Sequence, residues 1–210
     1  MTRIINVEPL GKDQFEPFGQ VIDVGSNLGQ SANQGTAKRF NFLADLVNLR
    51  QQHKNQDVGI GSVLPPNLTD PPAKPNLCIF RVMPADLPFS IKLLERHKYS
   101  TQMFIPMIRT RFIVQPSYLV IVALNDPLKQ QPDWSTLRVF RANSTQAFNY
   151  NPGVWHHPMV GLGDMIDFVC LVWERREQQA DRDEDTEEAF LQNQDYIRVK
   201  ISQEDVEAKL

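Results

Sequence analysis

The chain is a succession of short apolar runs cut at close intervals by turn-forming residues. "GQVIDV" (19–24), "NLCIFRVM" (76–83), "FSIKLLERH" (89–97), "RFIVQ" (111–115), "YLVIVAL" (118–124), "TLRVFRA" (136–142) and "MIDFVCLVW" (165–173) are rich in Val, Ile, Phe and Leu. Pro, Asn, Asp and Gly separate them, which is the punctuation of strands rather than of helices. Fifteen prolines against ten glycines add many fixed corners. This spacing predicts an all-β sandwich or barrel. Helix is expected in one short turn at "KDQFEPF" (12–18), with Asp13 as N-cap, and in a second segment at "LADLVNLRQQ" (43–52).

With 210 residues the chain can bury a proper core as one domain, or as one domain with a tail. The natural division is a barrel over residues 1–175 and a charged extension over 176–210. "ERREQQADRDEDTEEAFLQNQ" is dense in charge and poor in apolar residues, so a solvated helix or disorder is expected there. Ser202 and Asp205 resemble a loose capping-box start. A net charge of −3 without a basic stripe argues against nucleic acid as a partner. The longest apolar run, Tyr118 to Leu124, is far too short to span a bilayer, and the first residues lack an apolar stretch of signal-peptide length. A cytoplasmic protein without membrane contact is the expectation. Cys78 and Cys170 both lie in apolar runs, and two reduced core thiols are expected rather than a disulfide.

Two stretches carry residues suited to chemistry. In "SIKLLERHKYSTQMF" (90–104), strand alternation puts Ile91, Leu93, Glu95 and His97 on one face, which changes from apolar to polar along its length. Gln102 follows after a turn. Carboxylate, imidazole and amide form a mixed oxygen and nitrogen set suited to a divalent transition metal, though an E-x-H pair on a strand is also a common surface pair. In "NPGVWHHP" (151–158), Pro152 and Gly153 permit a tight turn before a returning strand. If His156 faces inward, His157 faces outward, holding local backbone or serving as a secondary proton donor at the rim.

Taken together these stretches resemble the two cupin motifs. "ERHKYSTQ" is similar to the first, with Glu95 in place of its first histidine and Gln102 in place of its glutamate, and "PGVWH" is similar to the second. With "YLVIVAL", "NYNPGVWHHP" and "NQGTAKRFNFLADL", the order of motifs over about residues 5 to 175 resembles the ureidoglycolate lyase family, formerly called ureidoglycolate hydrolases. The resemblance implies a cupin-like double-stranded β-helix barrel, usually a homodimer. It implies cleavage of ureidoglycolate to glyoxylate and urea in allantoin and purine breakdown, and association with a divalent metal, nickel being the one usually named. It places Glu95, His97, Gln102 and His156 as the metal set. The chain departs from the cupin pattern at Arg109, where a glycine is expected, and in a long 108–117 segment that suggests a remodelled hairpin at the rim.

The implied reaction needs proton carriers, for which His97, His156 and His157 are the candidates. Asp167 is a candidate to orient a histidine, or makes a plain structural hydrogen bond. The substrate carboxylate needs a cation. "NQGTAKRF" supplies Arg39 first and Lys38 second, unless Arg39 pairs at a strand edge, while Asn33 and Gln34 can read the urea amide. A cupin dioxygenase, or a non-catalytic cupin that binds a small acid, is the alternative.

Overall fold

The computed structural model describes residues 3–25, 28–50, 73–107, 115–175, 185–192, 195–202 and 207–208. The chain opens with β1 (Ile4–Pro9), the four-residue helix α1 (Lys12–Phe15), β2 (Gly19–Ile22) and a hairpin of β3 (Gln30–Ala32) and β4 (Ala37–Arg39). Then come β5 (Lys74–Val82), β6 (Ser90–Ile91), β7 (Leu93–Arg96) and β8 (Gln102–Pro106). The central run is β9 (Gln115–Ala123), β10 (Asn125–Asp126), β11 (Gln131–Pro132), β12 (Arg138–Asn143) and β13 (Ala147–Tyr150). It is followed by β14 (Trp155–His156), β15 (Val160–Leu162), β16 (Ile166–Glu174), β17 (Glu187–Phe190), β18 (Ile197–Lys200) and β19 (Glu207–Ala208).

Two curled sheets carry most of this. The larger runs β17-β7-β14-β9-β12-β1-β18-β6, with β15 and β19 also on β9, and the smaller runs β2-β13-β8-β16-β5. Between them lies an aromatic-rich core that includes Phe104, Tyr118, Phe140, Phe148, Tyr150 and Phe168. Helix α1 plugs it with Phe15, whose ring meets Phe140 edge-on at 5.7 Å. This is an all-β, cupin-like barrel. Strand β9 explains its own composition: Tyr118, Val120 and Val122 enter the barrel core, while Leu119, Ile121 and Ala123 enter a second core on the other face. A strand buried on both faces has no polar side, hence the unbroken "YLVIVAL".

The structure corrects three expectations. The N-cap of α1 is Gly11, and Asp13 sits within its first turn. Residues 43–50 are not helical, and Asn48 instead bridges to Ser100. The extension is neither a helix nor a separate appendage where it is described. Strand β17 pairs antiparallel with β7, and β18 pairs with β1 and β6. Ala189, Ile197 and Val199 complete the second core. The sparse apolar residues of this acidic stretch alternate, and alternation suffices for strands that bury one face. Arg109 and Asp205 lie outside the described residues.

Cys78 and Cys170 face each other in register across β5 and β16, and both are free thiols. Burial pushes the Cys170 thiol well above the ordinary range, with Cys78 beside it adding to the shift. A thiolate is the reactive form. A disulfide reagent is therefore expected to leave Cys170 untouched in the native protein and to titrate both thiols once the chain is unfolded. Rapid reaction of two thiols under native conditions would contradict this.

Candidate active site

The site is assembled by one turn and two strands. Pro152 and Gly153 occupy the centre of a turn closed by Val154 N–H donating to the Asn151 carbonyl at 3.2 Å. Gly153 has φ +78, the left-handed value that the third position of a type II turn requires. Its own N–H donates to the His97 carbonyl at 2.8 Å, so the turn is pinned to the end of β7. Strand β14 then leaves the turn and pairs with β7 in a register that sets His156 directly opposite Glu95. His156 Nε2 and Glu95 Oε1 are 3.7 Å apart. The His97 ring lies 5.8 Å from His156, and Tyr150 stacks on His156 at 4.2 Å. Gln102 is the register partner of Tyr150 and is buried with it.

Hydrogen bonding fixes what each group offers. His156 Nδ1 lies 3.0 Å from the Val154 carbonyl, so the proton belongs on Nδ1 and the lone pair on Nε2. That Nε2 is buried without a hydrogen-bond partner, as are Gln102 Oε1 and Tyr150 Oη. Native interiors leave few such atoms unpaired, and three around one histidine mark a place built to receive something polar. His97 Nδ1 lies 3.1 Å from the Asp185 carbonyl, which directs its Nε2 the other way. Burial pushes the Glu95 carboxyl up to about 7, with Glu188 adding to the shift. Burial pushes His156 down to about 3, reinforced by His97 and opposed by the Val154 carbonyl. A carboxyl able to hold a proton thus stands beside an imidazole held neutral, whose unprotonated Nε2 lies 3.7 Å from Glu95 Oε1.

The sequence-predicted residues divide sharply. Glu95, His97, Gln102 and His156 come together. His157 does not: it donates its N–H to the Ile121 carbonyl, its Nδ1 sits 2.7 Å from the Pro158 carbonyl, and its ring meets Phe89. Asp167 takes the second of its two expected roles, a plain structural bond. It alternates with Ile166 and Phe168, which fill the barrel, so it points to the outer face, where Arg81 grips it at 2.8 and 3.0 Å. Asn33, Gln34, Lys38 and Arg39 are exposed on the separate β3–β4 hairpin, with Asn33 and Gln34 at φ 48 and 57. Their expected contact with substrate finds no support in that placement. The shared face expected for Ile91 and Glu95 also fails, because the strand breaks at Lys92 and Ile91 turns into the second core.

Two supports escaped sequence reasoning. Tyr150 was within reach, since alternation from Phe148 puts both rings inward. Asp185 gave no signal, being one acid among many. Its carboxylate accepts from Arg175 N–H at 2.7 Å and pairs with Arg50, whose guanidinium also lies 4.6 Å over the Tyr99 ring.

The family assignment follows from comparison with known proteins. The profile of the family described as ureidoglycolate lyase matches residues 2–198. The chain belongs to the ureidoglycolate lyase family. A protein of Burkholderia mallei named ureidoglycolate lyase is 32% identical over 169 residues, covering 80% of this chain and 82% of the relative. One of Pseudomonas putida with the same name is 31% identical over 169 residues, covering 80% and 84%. The matched span of the ureidoglycolate lyase profile runs through β17 and into β18, so the extension lies largely within the family's bounds.

Proposed function

We propose that this chain is a ureidoglycolate lyase, releasing urea from ureidoglycolate and leaving glyoxylate. The observation that carries the reading is the unpartnered His156 Nε2 set 3.7 Å from the Glu95 carboxyl in a buried site. Ureidoglycolate holds a hydroxyl and a ureido nitrogen on one carbon, beside a carboxylate. The reaction is an elimination: the hydroxyl loses its proton, its oxygen forms the carbonyl, the carbon–nitrogen bond breaks and the nitrogen gains a proton. His156 Nε2 takes the hydroxyl proton. The Glu95 carboxyl delivers one to the leaving nitrogen. Imidazolium and carboxylate then face each other, and return of the proton from Nε2 to the carboxylate resets the site without any net gain or loss. Gln102 and Tyr150 supply neutral polar contacts to the ureido group, and the enclosure excludes bulk water.

A divalent metal, nickel by family resemblance, belongs to this reading. The test of fit is the donor set. Buried Nε2 of His156 and Oε1 of Gln102 lack partners, Glu95 stands beside them, and the His97 ring lies 5.8 Å from that of His156. These are ligands that a borderline divalent ion accepts. As placed, no three His, Cys, Asp or Glu side chains among the described residues converge on one point, so holding an ion requires their rotamers to close inward. A metal there would act as a Lewis acid toward the substrate's oxygens. The protein is further proposed to work as a homodimer in the cytoplasm, supported by the family resemblance; among the described residues no helix is long and apolar enough to cross a membrane.

The deciding experiment follows products from ureidoglycolate. Urea and glyoxylate are expected in equal amounts, without oxygen uptake. Ammonia and carbon dioxide would identify an amidohydrolase instead. Exhaustive chelation, with metal content measured in parallel, is expected to reduce the rate, and nickel to restore it. Undiminished turnover by metal-free protein would assign the whole chemistry to Glu95 and His156.

A further inference from the structure

A buried glutamine can turn either end of its amide toward a ligand. The two ends have nearly the same shape, but one accepts a hydrogen bond and the other donates. Gln102 stands on the inward face of β8, buried, with Val172 of β16 and Tyr150 of β13 as its register partners. The Val172 side chain has no hydrogen-bonding group, and the Tyr150 hydroxyl is itself unpartnered. The next inward residue of β16 is Cys170, fully buried and diagonal to Gln102, a separation that a long side chain spans. Its thiol hydrogen-bonds both the Gln102 amide and the sulfur of Cys78, which lies directly across on β5. Gln102 Oε1 has no partner, so the amide meets the sulfur through its nitrogen. Nε2–H donates to Cys170 Sγ, and the Cys170 S–H donates onward to Cys78.

We infer that Cys170 is a positioning residue: by holding the nitrogen of Gln102, it turns the amide oxygen toward the ureido group of the substrate. The inference rests on the lyase reading and names what selects the ureido end. A ureido group carries N–H donors on both nitrogens. Oε1 accepts from one of them, whereas a reversed amide would set donor against donor. An exposed glutamine turns freely, but one enclosed between Tyr150 and Val172 keeps the orientation that its partner sets. Packing alone does not ask for sulfur at this position, since Phe104, Phe168 and Val172 fill the same core without polar side-chain atoms. Burial also holds Cys170 as a thiol, which suits a neutral acceptor and not a nucleophile.

The test compares Cys170→Val, which keeps the apolar volume and removes the acceptor, with Cys170→Ser, which keeps an acceptor on a smaller and more polar side chain. Two probes are titrated by calorimetry into the full-length protein. Oxalurate joins a ureido group to a carboxylate but has no hydroxyl from which to eliminate, and glycolate lacks the ureido group. In Cys170→Val the oxalurate dissociation constant and the KM for ureidoglycolate are expected to rise about three- to tenfold, the scale of one hydrogen bond. A contact made equally in ground and transition states leaves kcat within about twofold. Glycolate affinity is expected to stay as in wild type, and Cys170→Ser to return the oxalurate affinity and KM to near wild type. A packing role predicts the reverse order, with Cys170→Ser the more impaired. That order, an unchanged oxalurate affinity in Cys170→Val, or a loss shared equally by glycolate would overturn the inference. Cys170→Ala also lacks an acceptor and takes the place of Cys170→Val should that protein not fold. A wild type that binds oxalurate but releases no urea would overturn the lyase reading and leave the affinities to decide on Cys170. One that binds neither probe would overturn both.

Discussion

Replacing Glu95 by glutamine is expected to lower kcat for urea release by about 10²–10⁴-fold, with the fold intact. Glutamine keeps the shape and hydrogen-bonding capacity of a protonated carboxyl but cannot give up a proton and take it back. The case for Glu95 rests first on geometry: strand register sets it opposite His156, and nothing else on β14 could receive it. Its burial matters as much, because a carboxyl held up near 7 keeps a proton where an exposed one would be ionised. His156→Ala is the companion experiment. It removes the unpartnered Nε2 and also the imidazole stacked on Tyr150, so both rate and stability should fall. The two variants separate the roles: Glu95→Gln should change the rate with little change in melting temperature, and His156→Ala should change both. Near-normal turnover by Glu95→Gln would reduce Glu95 to a packing partner of His156.

How much of this could be read from the residues alone is clearest at particular positions. The all-β architecture was legible because Pro, Asn, Asp and Gly cut every apolar run to strand length. The histidine dipeptide was legible too. Neighbours on a strand face opposite ways, and His156 and His157 do. Alternation failed where the strand itself failed: at Lys92 the chain breaks between β6 and β7, and Ile91 moves to the other core. At Asp167 the run left two roles open, and the structural one holds: its side chain is only 12% exposed, and Arg81 neutralises it away from the histidines. Asn33, Gln34, Lys38 and Arg39 have the chemistry to hold a carboxylate and a urea amide, but chemistry does not say where a hairpin lies. The extension hides its strands for a related reason. Composition counts its charges, but strand formation there depends on Ala189 meeting Leu94, Ile197 meeting Ile91 and Val199 meeting Ile5, all far earlier in the chain.

Those pairings make the second prediction the more severe. A protein ending at residue 184 is expected to lose lyase activity altogether and several kcal/mol of stability. Ile197 and Val199 are 3% exposed, and burying each contributes about 1.5–3 kcal/mol. Without β17, the buried Arg96 loses Glu187, which accepts from its Nε at 2.7 Å, though Asn125 and the Trp155 ring still hold it. The effect on the site is separate from the effect on the fold. His97 takes its orientation from the Asp185 carbonyl, and Asp185 is itself anchored through its carboxylate to Arg175 N–H and Arg50. Asp185→Ala leaves β17 and β18 in place while loosening that anchor. Its folded fraction is expected to show a kcat about 10–100-fold below wild type, the scale on which groups that orient a site's ligands act. Nitrogen chemical shifts of the His97 ring give a readout that simple destabilisation would not move, since they report which nitrogen carries the proton. Wild-type shifts and kcat in Asp185→Ala would confine the extension to completing the second core. Altered shifts with a lowered kcat would make the acidic tail part of the active site's scaffold.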